Sequence, residues 1–240
     1  MPRSPRIVLP DYPHHVVHRG HNRRVIFQGP GDCSSYLDSL GELKGLYGVK
    51  LLAYCLMPNH VHLLLTPSST DGLGRLMKRV AGRHTARLNC REDRSGSLWE
   101  GRYYSSPVSR DTYLHECHRY IELNPVRAAL VADPAKYRWS SCRFRIGDEM
   151  APWLDVDPWF LDMGSTTGER QQAYLDFLRE GVSEDRLRLI RDAVRRGQLT
   201  GGPEFGREVE RVLGRPVPMR GPGRPTKNSS VPFLGASPAA

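Results

Sequence analysis

The sequence predicts an α+β fold, in which a ferredoxin-like antiparallel sheet carries packed helices and is followed by a small helical C-terminal extension. Two observations predict it. Apolar runs with strand and helix periods alternate through the first 147 residues in the order strand, helix, strand, strand, helix, strand, helix. Beyond residue 168 only helical periodicity remains. A chain of 240 residues is long enough for one good core and a smaller appended unit.

Local patterns predict each element of the sheet unit in turn. In chain order these are a strand over 12–19, a helix over 34–47, strands over 49–56 and 60–65, a helix over 72–89, a strand over 104–108 and a helix over 111–123. Gly48 is expected to end the first helix, and Asp111 to cap the third. Because the turn at Pro58-Asn59 is so short, the second and third strands are expected to pair antiparallel.

Two histidines occupy alternate positions of the third predicted strand. Because side chains alternate between the faces of a strand, His60 and His62 project from the same face, about 6–7 Å apart along the chain. Val61, Leu63 and Leu65 then point to the opposite face. Two neutral imidazoles side by side form half of a divalent metal site, although half-buried histidines bonded to carbonyls give the same pattern. The nearby residues His14, His15, His18 and His21 share no single spacing and predict no second site.

Composition and charge restrict the function classes. The 35 Lys and Arg against 26 Asp and Glu give a net charge of +9, which indicates a polyanionic partner, nucleic acid before membrane surface. No run of 18 apolar residues is present and the N-terminus lacks the apolar core of a signal peptide, so we predict a cytoplasmic protein. The five cysteines are scattered without a Cys-x-x-Cys pair, so we expect reduced thiols and neither disulfides nor a cysteine zinc site.

The basic residues of the second helix form the first DNA-binding candidate. Arg75, Arg79, Arg83 and Arg87 recur every four residues, and with Lys78 they form a run of five cations without an acid. We expect them to contact phosphates, since like charges at this spacing repel one another on an ordinary solvated face. Further candidates are Arg19, Arg23 and Arg24 near the N-terminus, the loop residues Trp99, Arg102 and Tyr103, and Arg224 as a minor-groove hook. Trp99 and Tyr103 either stack on bases or close the core.

The chain divides into four predicted regions. Residues 1–147 form the sheet unit, 148–168 a linker with hydrophobic docking points, 169–215 a basic helical extension, and 216–240 a tail that is predicted to be disordered. Between 186 and 227 there are eleven Lys and Arg and four Asp and Glu, so this region contributes +7 of the net charge.

Tyr120 and Asn124 lie four residues apart on the third helix, so they share one face. A phenol beside an amide oxygen offers a nucleophile together with a neutral oxygen ligand. The alternative is a surface tyrosine and an asparagine that caps the helix before Pro125. Tyr103, Tyr104 and Tyr113 are rival nucleophiles.

Several motifs taken together, in this order, resemble one family. They are Met57-Pro58-Asn59-His60-Val61-His62-Leu63, the basic stripe, Trp99 to Tyr104, Tyr120-Ile121-Glu122-Leu123-Asn124-Pro125, and Trp139-Ser140-Ser141. The family is that of the single-tyrosine HUH transposases of the insertion-sequence type, and within it the REP-associated tyrosine transposases. The resemblance covers residues 8–145, and the basic tail is similar to a C-terminal segment that some members carry.

The resemblance implies an HUH fold that cuts and rejoins single-stranded DNA next to hairpins or repetitive palindromes. Tyr120 would attack a phosphodiester and form a 5′-phosphotyrosine link, while His60, His62 and Asn124 would bind Mg²⁺ or Mn²⁺. Two alternatives are a non-catalytic hairpin-binding regulator and a nickase of the rolling-circle or conjugative type. The sequence gives no interface pattern that decides between a homodimer and a monomer.

Overall fold

The computed structural model describes residues 6–147, 151 and 153–217, and its centre is a four-stranded antiparallel sheet. The strands are β1 (His14–Arg19), β2 (Val49–Met57), β3 (His60–Pro67) and β4 (Tyr104–Pro107). The helices are α1 (Pro30–Leu46), α2 (Gly72–Arg91), α3 (Arg110–Glu122), α4 (Asn124–Arg127), α5 (Cys142–Arg145), α6 (Pro158–Leu161), α7 (Thr167–Arg179), α8 (Glu184–Arg196) and α9 (Pro203–Leu213). The sheet order β2-β3-β1-β4 is that of a ferredoxin-like fold, so the predicted class and order of elements are confirmed.

Helices cover both faces of this sheet. α1 and α2 pack on one face, where Leu40 and Val80 meet Leu63 of β3 in the larger core cluster. α3 and α8 pack on the other, where Ile121 and Ile190 join the cluster that contains Leu64. Because side chains alternate along β3, its two histidines lie on the α3 face. The catalytic candidates are therefore separated from α2 by the thickness of the sheet.

Local chemistry explains the element boundaries. Pro30 stands in the first turn of α1, which begins earlier than the predicted residue 34 because proline is pre-organised for that position. The predicted cap at Asp111 is wrong, since α3 begins at Arg110 and Ser109 occupies the N-cap position. Leu123 separates α3 from the short α4, whose first turn contains Pro125.

The C-terminal helices pack against the sheet unit. Thr200, between α8 and α9, forms a parallel bridge to Val108, and its backbone N–H donates to the carbonyl of Pro107 at 2.8 Å. Asp155, in the predicted linker, accepts from the backbone N–H of Leu51 at 2.7 Å. The four predicted regions stay a prediction, and the tail from residue 218, with Arg224, lies outside the described residues. No helix in the described ranges is long and apolar enough to span a membrane.

A buried ion pair ties α3 to α5 and α7. The Arg145 guanidinium lies 3.5 Å from the Glu122 carboxylate, and both side chains are fully buried. That carboxylate also accepts hydrogen bonds from the Ser141 hydroxyl at 2.5 Å and the Tyr174 hydroxyl at 2.6 Å. Burial raises the pKa of Glu122, and Arg145 opposes this shift.

We expect Arg145→Leu to lower the free energy of unfolding by about 3–5 kcal/mol, because it leaves a carboxylate buried without its counter-ion. Tyr174→Phe is the matched control, with a loss of about 1–3 kcal/mol for one missing donor. The double variant Arg145→Leu with Glu122→Gln is expected to recover part of the loss, since no charge then stays buried. Urea denaturation measures all three. A loss below about 1 kcal/mol for Arg145→Leu would show that the pair does not anchor α3.

Candidate active site

Three imidazoles form a continuous row on the α3 face of the sheet. The Nε2 atoms of His60 and His62 lie 3.1 Å apart, and His62 Nδ1 lies 2.9 Å from Nε2 of His15. His60 Nδ1 donates to the Asn59 side-chain oxygen at 2.6 Å. Residues that stand opposite one another in paired strands share a face of the sheet. Since β1 places Val17 opposite His62 and Arg19 opposite His60, His15, two residues before Val17, lies on the same face as both histidines.

These imidazoles are neutral at physiological pH. Burial lowers the pKa of His60 to about 4 and that of His15 to about 3, and it lowers the pKa of His62 well below its usual value. The positive charges of Arg19 on His60 and of Arg127 on His15 act in the same direction. A neutral imidazole retains a lone pair, so the row is chemically suited to bind a divalent cation.

The buried histidines predict an acid-sensitive fold. Burial lowers the pKa of His14, His18 and His60 to about 4, whereas an imidazole in the unfolded chain titrates near 6.5. Between these values the unfolded state binds more protons, so the free energy of unfolding should fall as pH is lowered from 6.5 to 4. We expect a lower urea midpoint at pH 5.0 than at pH 7.0. An equal or higher midpoint at pH 5.0 would contradict the neutral, buried state of these rings.

Tyr120 stands next to the imidazole row. Its ring meets the rings of His15 and His62 nearly edge-on, with centroids 5.4 Å and 5.7 Å apart. The Arg127 guanidinium lies over the ring, 4.4 Å from its centroid, and donates to the backbone carbonyl of Tyr120. Tyr120 itself is buried in the cluster that α3 and α8 form on the sheet. The Arg127 guanidinium therefore forms a cation–π contact with the candidate nucleophile.

The Asn124 side chain caps the C-terminal end of α3, which was the alternative to metal binding. Its side-chain N–H groups donate to the carbonyls of Tyr120 at 3.0 Å and Ile121 at 3.3 Å, which satisfies the last turn of α3. This arrangement uses the amide nitrogen and leaves the amide oxygen as an acceptor. Metal binding by Asn124 stays a prediction.

The two histidines of β3 fit a divalent ion. Two adjacent ligands at about 2.1 Å from a metal and 90° from each other are about 3.0 Å apart, close to the 3.1 Å between the Nε2 atoms of His60 and His62. Within the described ranges, no group of three or more His, Cys, Asp or Glu side chains is arranged so that all could bind one metal ion. A third ligand would therefore be an amide oxygen such as that of Asn124, a water molecule or a phosphate oxygen of the substrate.

The rival tyrosines lie farther from the histidines. Tyr104 shares the face of His62 but stands two strands away, about 10 Å between backbones. Tyr113 lies on α3 beneath the Arg186 guanidinium, 4.3 Å from its ring centroid. Tyr103 belongs to the core on the opposite face. Among the described tyrosines, the ring contacts to His62 come from Tyr120.

The predicted basic stripe lies on the α1 side of the sheet, and three of its arginines have acidic partners from outside the run, so phosphate binding by the stripe stays a prediction. Arg83 pairs with Glu42 at 2.5 Å, Arg87 lies 3.9 Å from Asp32, and Arg75 pairs with Asp71 at 3.4 Å. These acids come from α1 and from the residue before α2, so the charge pattern of α2 alone does not reveal them. Within the described part of the chain, Lys78 and Arg79 have no carboxylate at ion-pair distance.

The other DNA-binding candidates are divided between the two faces. Arg19 flanks His60, Arg23 is exposed, and Arg24 pairs with Glu92 at 2.9 Å. Trp99 is buried, stacks on His18 at 4.0 Å between centroids and donates to the carbonyl of Ala81.

Tyr103 is also buried in the core, so both aromatic residues of this loop close it. With Arg102 they line a pocket of about 690 Å³. Stacking of DNA bases on Trp99 and Tyr103 stays a prediction, and it would take place in this pocket.

Residues 9–124 match the sequence model of a protein family described as transposase, IS200-like. The matched span contains His15, His60, His62, Tyr120 and Asn124. This region is similar to the IS200-like transposases and covers just under half of the chain. It includes every strand of the sheet and the helix that carries the candidate nucleophile.

Two solved structures are similar to this chain. One is a REP-associated tyrosine transposase bound to a REP hairpin, with 14% identity, a TM-score of 0.54, and coverage of 65% of this chain and 92% of that chain. At this identity the likeness concerns the fold. The other is a putative transposase from Deinococcus radiodurans R1, with 25% identity, a TM-score of 0.36, and coverage of 50% of this chain and 95% of that chain. No curated protein matches the sequence.

Two residues of the candidate site were missed by sequence reasoning. His15 joins the site through the pairing register of β1 with β3, which the strand periods do not reveal. Arg127 lies seven residues after Tyr120, which is two helical turns, so this spacing was a signal that was available in the sequence.

Proposed function

We propose that this protein cuts and rejoins single-stranded DNA by attack of Tyr120 on a phosphodiester next to a hairpin. The observation that supports this most strongly is the convergence of the Tyr120 ring with the neutral imidazoles of His62 and His15 on one face of the sheet. Arg19 and Arg127 add positive charge at the same face, which suits a phosphate group. A phenol, neutral metal ligands and cations together form the set that phosphoryl transfer to a tyrosine needs.

The chemical step conserves the number of phosphodiester bonds. The Tyr120 oxygen forms a bond to phosphorus, the bond from phosphorus to the 3′-oxygen breaks, and the phenolic proton is transferred overall to that 3′-oxygen. The protein keeps a 5′-phosphotyrosine link, and the freed 3′-hydroxyl reverses the step or another 3′-hydroxyl replaces it. Rejoining therefore needs no nucleotide cofactor.

The side chains of the candidate site have distinct roles in this step. Because a free phenol is almost fully protonated at neutral pH, the reaction needs positive charge near the developing phenolate, and Arg127 is placed over the ring to supply it. His60 and His62 would hold Mg²⁺ or Mn²⁺ through their Nε2 atoms, with the Asn124 oxygen as the third ligand. A bound ion supplies polarisation and orientation of the scissile phosphate.

DNA with a hairpin is the proposed substrate. The net charge of +9 favours a nucleic-acid partner, and the transposase of similar fold was solved with a REP hairpin. The exposed cations Lys78 and Arg79 would contact the phosphate backbone from α2. Since α2 and Tyr120 lie on opposite faces of the sheet, the proposed substrate would have to extend around the edge of the sheet to reach both.

An adduct assay tests the proposal. The protein is incubated with Mg²⁺ and a hairpin-bearing single-stranded oligonucleotide, then denatured in detergent and separated by electrophoresis. We expect a protein–DNA adduct that resists denaturation, and a weaker one with a matched oligonucleotide whose stem is scrambled. Binding without an adduct across a set of such oligonucleotides would instead support a hairpin-binding regulator. An adduct that depends on a sequence but not on a hairpin would support a nickase of the rolling-circle type.

The salt dependence of binding tests the role of α2. If Lys78 and Arg79 contact phosphates, Lys78→Ala and Arg79→Ala should each lower the slope of log affinity against log salt by about 0.7 for single strands. Arg83→Ala is the matched control, because Glu42 already pairs with Arg83. We expect a smaller change for this control. Unchanged slopes for Lys78→Ala and Arg79→Ala would show that these α2 side chains do not contact DNA phosphates.

A further inference from the structure

The hydrogen bonds of the imidazole row determine where its protons lie. An amide oxygen only accepts, so the Asn59 oxygen requires a proton on His60 Nδ1. His60 Nε2 then carries a lone pair, and the contact of 3.1 Å requires a proton on His62 Nε2. His62 Nδ1 in turn accepts from His15 Nε2 at 2.9 Å. The row is therefore a directed chain of donors and acceptors that ends at His15 Nδ1.

This placement of the protons is incompatible with metal binding through Nε2 of His62. In the proposed function, which this inference rests on, the ion takes lone pairs from Nε2 of both His60 and His62. His60 already presents its lone pair, whereas His62 carries a proton at that atom. His62 can become a ligand without gaining charge only if its proton is held on Nδ1 instead, and Nδ1 faces His15.

We propose that His15 is a positioning residue that switches tautomer together with His62 when a divalent cation binds. His62 Nε2 releases its proton to water, His62 Nδ1 takes the proton of His15 Nε2, and water supplies one proton to His15 Nδ1. Each imidazole has one proton before and after, so no charge changes in this buried row. His62 Nδ1 then donates to His15 Nε2, which holds the ring of the ligand in place and increases its basicity.

The surroundings of His15 are suited to this role. Its side chain is fully buried, so the ring cannot swing into solvent. Within the described residues, His15 Nδ1 has no hydrogen-bond partner, so no fixed acceptor or donor opposes either tautomer. His15 also meets the Tyr120 ring edge-on, so it contacts both the candidate nucleophile and the candidate ligand His62.

Binding of Mn²⁺, measured through the electron paramagnetic resonance signal of the free ion, tests this role in the full chain. We expect His15→Leu to bind Mn²⁺ about 10–100-fold more weakly than the wild type. His15→Gln should recover part of the affinity, because its amide oxygen accepts from His62 Nδ1. His14→Gln is the control on the neighbouring position of the opposite face and should bind as the wild type does. Thermal unfolding of each variant establishes that it is folded.

Nitrogen-15 NMR with the diamagnetic ion Mg²⁺ gives a readout that does not depend on a folded His15→Leu variant. Saturation should move the protonated nitrogen of His15 from Nε2 to Nδ1, and that of His62 from Nε2 to Nδ1. Unchanged tautomers on saturation, or wild-type affinity for Mn²⁺ in His15→Leu, would overturn the assignment. If the wild type binds no Mn²⁺, the proposed function fails as well. If the wild type binds and forms the adduct, only the role of His15 fails.

Discussion

Tyr120→Phe is expected to abolish the covalent protein–DNA adduct while DNA affinity stays within about twofold of the wild type. The change removes one oxygen atom, which is the proposed nucleophile, and the ring keeps its contacts with His15, His62 and Arg127. Since no other group replaces the phenolic oxygen, the adduct should be lost completely rather than reduced. The measurement is the yield of adduct with a labelled hairpin oligonucleotide, together with affinity from fluorescence anisotropy.

Tyr104→Phe and Tyr113→Phe are the matched controls. Each removes the same oxygen from a tyrosine on the same side of the sheet, but neither ring contacts the histidines. We expect both to retain the adduct. If Tyr120→Phe kept the adduct and one of these variants lost it, the nucleophile would have been assigned to the wrong residue.

His62→Gln is expected to lower the rate of adduct formation at least about 10³-fold and to remove most Mn²⁺ affinity. A metal-bound phosphate gains several kcal/mol of transition-state stabilisation, and each 1.4 kcal/mol corresponds to a factor of ten. Because His62 is the ring between His60 and His15, its loss also breaks the hydrogen bonds that orient both neighbours. His60→Gln should have a similar effect on the rate.

The control for this prediction is His18→Gln. His18 is also a buried strand histidine, but it lies on the opposite face and contacts the carbonyl of Gly101 at 2.9 Å. We expect its adduct rate to stay close to that of the wild type. A metal-dependent rate that survives in both His62→Gln and His60→Gln would show that the ion is held elsewhere.

Strand periodicity was enough to predict much of the fold and half of the candidate site. The alternation around His60 and His62 was enough to predict a shared face, and the short Pro58-Asn59 turn was enough to predict the β2–β3 pairing. A helical spacing of four predicted that Tyr120 and Asn124 lie together. These features depend on residues close in sequence, which is why a local pattern contains them.

The missed features depend on pairing between distant segments. His15 reaches His62 because β1 pairs with β3 in one particular register, 47 residues away. The acids that pair with the α2 arginines come mainly from α1, and Trp99 is buried by contacts with His18 and Ala81. The Asp111 cap was wrong because Ser109 and Asp111 are both good capping residues, so the local pattern did not decide the first residue of α3.

The position of Mn²⁺ in crystals, located by its anomalous X-ray scattering, tests most directly whether the imidazole pair and the tyrosine helix share one ion. We expect a single strong peak about 2.2 Å from the Nε2 atoms of His60 and His62, on the side of the sheet where Tyr120 and Asn124 lie. A peak at another site, with the two Nε2 atoms still 3.1 Å apart and without metal between them, would contradict it.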